Sequence, residues 1–142
     1  GLGWSFPAAL GMQLADRERL VVATMGDGSY IFANPVACHQ IAESLGLPVL
    51  IIVKNNAMWN AVCRSVVTAY PEGDAVRANE MPLTSLAPTP DFAAIAGARR
   101  AFSERVDSAE DLPAALKRAL HAIRNEGRAA LLDVAVAVSD QH

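Results

Sequence analysis

Apolar runs of strand length alternate along the chain with segments of helical periodicity. Short continuous apolar runs are typical of strands buried on both faces of a sheet, and we predict strands at 20–25, 49–53 and 130–138, with a fourth candidate at 102–106. Apolar positions three and four residues apart indicate helices, which we predict at 7–16, 35–45, 92–99 and 109–125. The alternation predicts an α/β fold, namely a three-layer α/β/α domain with a mostly parallel sheet.

Residues with strong backbone preferences mark the ends of these elements. Asn34 and Pro35 suit the N-cap and first position of a helix, and Gly46 suits its C-terminal end. Ser108 is the predicted N-cap of the last helix. Four prolines fall within 70–90, so we predict a long loop there, for which a substrate lid and an ordered surface loop are equally good interpretations.

Composition narrows the classes of protein. A chain of 142 residues that is 52% apolar is long enough for one domain with a buried core and too hydrophobic to be disordered. A net charge of −3 argues against a nucleic-acid-binding protein, and no apolar run approaches the roughly 20 residues that span a membrane. Two cysteines are too few for a disulfide scaffold, so we expect a cytoplasmic protein.

Polar residues follow two of the predicted strands. The first strand is followed by GDGS at 26–29 and the second by KNN at 54–56. Because both strands of a strand–helix–strand unit end at the same edge of a parallel sheet, Asp27 and the asparagines are expected to lie close together. A carboxylate and an amide oxygen suit Mg²⁺, and the backbone N–H groups of Gly28 and Ser29 suit a diphosphate. The residues alone therefore predict a magnesium–diphosphate site.

Neither motif is specific by itself. GDG is a common turn sequence and paired asparagines are common in loops, so each alone is more often structural than functional. Their joint occurrence after two strands favours a functional site. The chain lacks the GxxxxGK[ST] of a P-loop, and no GxGxxG follows the first strand, so the two commonest nucleotide motifs are excluded.

Together the motifs resemble a known family. GDG at 26–28 with NN at 55–56 resembles the cofactor motif of thiamine diphosphate-dependent enzymes. GLGWSFPAALG at 1–11 resembles the segment that precedes this motif in the branch containing acetolactate synthase and benzoylformate decarboxylase. DFAA at 91–94 and LLDV at 131–134 resemble the end of the same domain. The resemblance covers nearly the whole chain and implies the thiamine diphosphate-binding fold.

The resemblance implies a role for each motif residue. Asp27 and Asn56 would bind Mg²⁺ through their side chains, and Met58 through its main-chain carbonyl oxygen. These residues would hold the cofactor through the metal.

Four further residues would contact the cofactor directly. Gly26, Gly28 and Ser29 would surround the diphosphate, the last two through backbone N–H groups. Leu2 stands where the family places an apolar wedge between the two cofactor rings. Such a wedge bends the cofactor so that its amino group meets the thiazolium proton without a bimolecular encounter.

The resemblance also implies what lies outside this sequence. The glutamate that activates the cofactor belongs to a separate pyrimidine-binding domain, of the same or a neighbouring subunit, so no catalytic residue is assigned in this chain. We expect residues 1–142 to be the C-terminal diphosphate-binding domain of a longer polypeptide. We also expect a homodimer or homotetramer that binds neither nucleic acid nor a membrane.

Several reactions remain open at this stage. We favour an acetolactate synthase-like enzyme that forms or cleaves C–C bonds of 2-oxo acids. Enzymes resembling benzoylformate decarboxylase, or a 2-hydroxyacyl-CoA lyase with an acyl-CoA substrate, are the alternatives. Some decarboxylases of the family carry a glutamate where this chain has Val62, which disfavours pyruvate decarboxylase chemistry. A non-catalytic cofactor-binding module and a purely structural domain are hypotheses of a different class.

Other residues with possible roles have ordinary explanations. His39 is expected to be an ordinary helix residue, and Cys38 and Cys63 small buried side chains. Trp4 and Trp59 suit either the cofactor cleft or packing. The arginines at 99–100 are expected at a solvated helix end.

Overall fold

The computed structural model describes residues 1–138 and contains a four-stranded parallel sheet. The strands lie in the order β1-β2-β4-β3, and each neighbouring pair is parallel. They are β1 (Val22–Gly26), β2 (Leu50–Asn55), β3 (Phe102–Val106) and β4 (Ala130–Ala135). The α/β fold class with a parallel sheet is thereby confirmed.

Helices cover both faces of this sheet. They are α1 (Ser5–Ala15), α2 (Asp27–Phe32), α3 (Pro35–Leu45), α4 (Asn60–Ala69), α5 (Asp74–Arg77), α6 (Phe92–Gly97) and α7 (Leu112–Glu126). Helices α1, α3 and α6 share one layer, and α7 packs against β2, β3 and β4. Among the described residues, 1–138, no helix has the length and apolar character needed to cross a membrane.

Two apolar cores lie on opposite sides of the central strands. Ile51 and Leu131 belong to the core beneath α1, α3 and α6, whereas Leu50 and Leu132 belong to the core beneath α7. Successive residues of a strand point to opposite faces, so β2 and β4 must be apolar at nearly every position. This is why their sequences are continuous apolar runs rather than alternating patterns.

The register of β1 and β2 brings the two polar motifs together. Met25 pairs with Val53, and Gly26 pairs with Lys54. Residues 27 and 55–56 therefore leave the same edge of the sheet, as the sequence predicts for adjacent parallel strands.

The GDGS and KNN motifs lie partly within a helix and a strand that extend beyond the predicted elements. The sequence predicts a break at 26–29, but α2 begins at Asp27, directly after β1. Helix α2 has six residues, which is too short for its periodicity to be recognised. The prediction ended the second strand at 53, but β2 continues to Asn55, which pairs with Ala135 of β4.

Two further helices, α4 and α5, were missing from the prediction. Helix α4 has one buried residue, Cys63, so it lacks the apolar stripe by which a core-facing helix is recognised in a sequence. Ser65 and Thr68 instead donate their hydroxyl protons to carbonyl oxygens one turn earlier. The short helix α5 lies within the predicted loop at 70–90.

The remaining errors concern the ends of elements. Ser108 is not a helix N-cap: its hydroxyl accepts the N–H of Glu110, and α7 begins only at Leu112. Pro113 lies in the first turn of α7, where its missing N–H has no partner to lose. The last strand ends at 135 rather than 138, because its neighbour β2 ends at Asn55. Other boundaries shift by one or two residues, at 5–15, 22–26 and 92–97.

A buried polar pair fastens α2 to α3 within the apolar core. The Tyr30 hydroxyl lies 2.8 Å from Nε2 of His39, and both side chains are fully buried. Phe6 and Phe92 pack edge-on against this pair. Burial raises the pKa of Tyr30 above its ordinary value and lowers the pKa of His39 to about 4, so the hydrogen bond joins a neutral phenol to a neutral imidazole. His39 is therefore a packed helix residue, as the sequence suggested, and it holds α2 in place.

This pair predicts a pH-dependent loss of stability. The unfolded chain binds a proton at His39 near pH 6.5, whereas the folded chain binds it only near pH 4. Stability is therefore full above about pH 6.5 and falls as the pH drops towards 4, by about 3 kcal/mol. Urea unfolding between pH 7 and 4.5 measures this loss.

The matched variant is His39→Gln, which does not titrate. It should show a much flatter dependence in the same window. The pKa values of Glu104 and Glu126 are lowered by hydrogen bonds from Arg118 and Arg128, but from 4.5, so their effect falls at lower pH. Parallel curves for the two proteins would contradict the assignment.

Candidate functional site

A cavity of about 330 Å³ opens where β1 and β2 end. This volume is within the range of small-ligand sites. All seven residues that the sequence singled out line it, namely Leu2, Gly26, Asp27, Gly28, Ser29, Asn56 and Met58. The site residues are therefore brought together, although their roles in binding stay predictions.

Asp27 is buried at the first position of α2. One carboxylate oxygen accepts the N–H of Gly28 at 2.8 Å, and the other accepts the N–H of Met58 at 3.3 Å. A negative charge is favoured at the start of a helix. The carboxylate is thus fixed between its own helix and a backbone segment 31 positions away in the sequence.

Asn56 reaches the same point from the end of β2. Its Oδ1 accepts the N–H of Met58 at 3.2 Å. The Asn56 and Asp27 oxygens therefore converge on a single N–H group. Two oxygen acceptors that face one donor at the wall of a cavity form an arrangement that a small cation can also bind.

A tight turn shapes this segment. Ala57 has a φ of +56°, a conformation that costs a non-glycine residue free energy. The amide of Asn55 holds it there, since its Oδ1 accepts the Ala57 N–H at 3.1 Å. On the other side of Asn55, its Nδ2 donates to Asp133 at 3.0 Å. Asn55 is thus a buried structural residue, not a lining residue of the cavity.

Asp133 is a residue that the sequence analysis did not single out. It is buried in β4 and contacts the motif from a segment 78 positions away. The available signal was one acidic residue inside the apolar run at 130–138. A charged side chain in a strand buried on both faces requires a specific partner.

The loop at 84–86 supports the turn from outside. The N–H of Trp59 donates to the carbonyl of Thr84 at 2.7 Å, and the N–H of Leu86 donates to the carbonyl of Ala57 at 2.8 Å. Met58 and Ser85 form the bridge between them. This part of the proline-rich region is therefore an ordered wall next to the site.

A hydrogen bond to α2 positions the start of the chain. The N–H of Gly3 donates to the hydroxyl of Ser29 at 3.0 Å. Gly3 has a φ of +79°, and a Cβ there would lie 2.8 Å from the carbonyl oxygen of Phe32, so only glycine fits. This contact carries the half-exposed Leu2 to the cavity. The Ser29 side chain thus has a structural partner that the sequence analysis did not anticipate.

The two tryptophans differ in their surroundings. Trp59 lines the cavity and packs its ring against Gly28, where a Cβ would lie 2.5 Å from two ring atoms. Trp4 is 71% exposed and does not line the cavity. Of the two, only Trp59 belongs to this site.

The donors at the site fit a hard cation. Asp27 offers a carboxylate and Asn56 an amide oxygen, both on the Met58 N–H, and Mg²⁺ binds such oxygens while keeping water or phosphate ligands. Within residues 1–138, no three His, Cys, Asp or Glu side chains are grouped to hold a metal ion. The set therefore suits Mg²⁺ with a phosphate ligand better than a transition metal.

From the contact between Gly28 and Trp59 we predict how substitutions change the free energy of unfolding. Gly28→Ala should destabilise the protein by about 1–3 kcal/mol because the added methyl group overlaps the indole ring. In the double variant Gly28→Ala/Trp59→Ala the costs should not add, since the ring is gone. Urea unfolding of the three variants measures this.

Gly11→Ala is the matched control. Gly11 lies in α1, and a Cβ there would meet nothing within 4 Å. The control should stabilise α1 by about 0.5–1 kcal/mol. If Gly28→Ala behaved like this control, the close packing of Trp59 would be wrong.

Comparisons with known proteins agree with the fold and the motifs. Among curated proteins, the chain is 33% identical over 125 residues to the acetolactate synthase large subunit of Haemophilus influenzae and 30% identical over 125 residues to benzoylformate decarboxylase of Pseudomonas aeruginosa. It is 26% identical over 132 residues to sulfoacetaldehyde acetyltransferase of Castellaniella defragrans. The alignments cover 88%, 87% and 93% of this chain but only 20%, 22% and 20% of these relatives.

A solved structure gives the same result. The thiamine diphosphate-dependent 4-hydroxybenzoylformate decarboxylase of Rhodococcus jostii superposes with a TM-score of 0.80 at 29% identity. The match covers 99% of this chain and 24% of that one. The chain thus spans about a fifth to a quarter of these proteins. Because the family model "Thiamine pyrophosphate enzyme, C-terminal TPP binding domain" matches residues 1–134, the chain belongs to that family of thiamine diphosphate-binding domains.

Proposed function

We propose that this chain binds the diphosphate of thiamine diphosphate through a Mg²⁺ ion held by Asp27, Asn56 and the Met58 carbonyl. The supporting observation is the convergence of the Asp27 and Asn56 oxygens on one N–H at the wall of the cavity. A cation bound between the Asp27 and Asn56 oxygens would place a full positive charge where these two oxygens now share one N–H donor. The buried carboxylate of Asp27 would gain the most, since its charge is otherwise met by hydrogen bonds alone.

Other lining residues would orient the cofactor. Gly28 and Ser29 lie in the first turn of α2, where backbone N–H groups lack helix partners. The Gly28 N–H donates to the Asp27 carboxylate, and a cation on that carboxylate would leave it to share this N–H with a diphosphate oxygen. Lys54 is the second charged residue on the cavity wall and offsets the charge of the diphosphate. Leu2, positioned by the hydrogen bond between Gly3 and Ser29, would support the bend between the cofactor rings. When bound, thiamine diphosphate supplies a nucleophilic carbon and an electron sink.

For the whole protein we propose C–C bond formation or cleavage on 2-oxo acids, with acetolactate synthase-like chemistry preferred. Val62 supports this preference, because it lines the cavity where some decarboxylases of the family carry a glutamate. Asp27 is the carboxylate on the cavity wall, and it would be committed to the cation. The described part of the chain therefore offers no second acid at the cavity to protonate a product.

Decarboxylation and lyase chemistry are the second candidates. The likeness to benzoylformate decarboxylase and to a solved 4-hydroxybenzoylformate decarboxylase favours the former. An acyl-CoA-using lyase is the less supported of the two. Magnesium, a pyrimidine-binding domain that supplies the activating glutamate, and a homo-oligomer all belong to the proposal.

The proposal predicts the effect of removing the carboxylate. In the complete natural polypeptide that contains this chain, Asp27→Ala should abolish Mg²⁺-dependent binding of thiamine diphosphate, because the cation loses its one anionic protein ligand. Isothermal titration with and without Mg²⁺ measures this. Asp74→Ala, which removes an exposed carboxylate of α5, should bind like the wild type. Unchanged affinity in Asp27→Ala would refute the site.

The proposed reaction leads us to predict the ratio of acetolactate to acetaldehyde. With pyruvate as the sole substrate, acetolactate should exceed acetaldehyde. Val62→Glu should shift the ratio towards acetaldehyde by at least about tenfold, because a general acid near the reacting atoms contributes effects of that size or more. Val62→Leu is the control and should leave the ratio unchanged. Acetaldehyde as the main wild-type product would instead favour the decarboxylase alternative.

A further inference from the structure

A buried carboxylate lies behind the candidate cation site. Asp133 belongs to β4, where it pairs in register with Val53 of β2 and Arg105 of β3. Its two oxygens have different partners: one accepts Nδ2 of Asn55 at 3.0 Å and the other accepts Nη1 of Arg105 at 2.8 Å. The side chain therefore bridges the sheet across three strands.

Stability alone does not explain a charge at this position. The Asp133 carboxylate is buried, whereas the Arg105 side chain is 40% exposed. Removing the carboxylate from water offsets most of what the pair gains, and an apolar residue of similar size is often as stable. The neighbours Leu132 and Val134 show that β4 is otherwise apolar here. Arg105 also binds Asp107, and these hydrogen bonds, first Asp107 and then Asp133, raise the pKa of Arg105. The carboxylate of Asp133 thus faces a cation that compensates its charge.

An ionised carboxylate can only accept hydrogen bonds. It therefore fixes which end of the Asn55 amide faces it, namely the NH₂ group. The Asn55 carbonyl oxygen must then point the other way, where it accepts the N–H of Ala57 at 3.1 Å. That bond holds the positive-φ turn at Ala57, which directs the Met58 N–H to Asp27 and Asn56.

We propose that Asp133, compensated by Arg105, is a positioning residue: by fixing the orientation of the Asn55 amide it shapes the turn that presents Asn56 and Met58 to the cation. Asp133 itself touches neither metal nor cofactor. The inference rests on the proposed function of the site, and it adds a residue on a distant strand to the binding machinery.

A donor–acceptor swap tests this proposal. Asn55→Asp places two carboxylates against each other. Asp133→Asn presents an NH₂ group to either Asn55 or Arg105, both of which are donors. The double variant Asn55→Asp/Asp133→Asn restores the pattern with reversed polarity and unchanged total charge. The carboxylate introduced at position 55 would then accept both from the amide introduced at position 133 and from the N–H of Ala57.

The first readout is Mg²⁺-dependent affinity for thiamine diphosphate, measured by titration of the complete natural polypeptide. Each single variant should weaken the affinity by at least about tenfold, since each leaves a buried polar group unpaired. The double variant should recover to within about threefold of the wild type. A residue that served stability alone would lower the unfolding midpoint without this loss and rescue of affinity.

The second readout needs no cofactor. Amide hydrogen exchange at Ala57 and Met58 should speed up in each single variant and return to the wild-type rate in the double variant. Glu104→Gln is the matched control, because it breaks the ion pair between β3 and Arg118 of α7 without contacting Asp133. It should change neither exchange at these two amides nor affinity.

The outcomes separate the two proposals. If the wild type binds and both single variants bind equally well, or if the swap does not recover affinity and protection, the role of Asp133 is overturned while the proposed function stands. If the wild type itself shows no Mg²⁺-dependent binding, the proposed function fails and takes the positioning role with it. Loss in both single variants with recovery in the double variant supports the inference.

Discussion

The site depends on the parallel, in-register pairing of β1, β2 and β4. Parallel strands end at the same edge of a sheet, and the register sets Gly26 beside Lys54 and Asn55 beside Ala135. Asp27 and Asn56 each follow the end of a strand by one residue, so this line sets where both side chains enter the cavity. A slip of one residue would turn each side chain to the opposite face, so the apolar packing of the two cores and the position of Asp27 are set together.

Buried polar contacts position the segments that leave this apolar sheet. The Tyr30–His39 pair fastens α2 from one side, and the Asn55–Asp133 pair fastens the turn after β2 from another. Each is buried and each involves one residue close in sequence to a cavity-lining motif. Such pairs add little net stability, but they favour one arrangement, because moving either partner would break a hydrogen bond between buried groups. Apolar packing alone would allow the turn and the short helix α2 to adopt neighbouring conformations.

Much of the fold and the membership of the site were predictable from local sequence. Long apolar runs identified β1, β2 and β4, and the GDG and NN motifs identified Asp27, Gly28 and Asn56 at the cavity, because these signals are contiguous. Leu2 and Met58 were identified by the family resemblance instead. The six residues of α2 were missed since they are too few for a period to emerge. Asp133 and Arg105 were missed because their significance arises only when β4 and β3 lie beside β2. Ser108 was wrongly predicted as a helix N-cap because a serine hydroxyl can accept a backbone N–H in a turn as well as at the start of a helix.

The position of Trp59 gives the cavity an intrinsic optical reporter. Its indole touches Gly28 at the very point where the diphosphate is proposed to bind, whereas Trp4 faces solvent. The ultraviolet emission of an indole responds to the polarity and charge of what it touches, so the two rings report on different environments. The solvated ring supplies a constant background, and the ring on the cavity wall supplies the signal. The occupancy of this site can therefore be followed in the unmodified chain, without a label and without turnover.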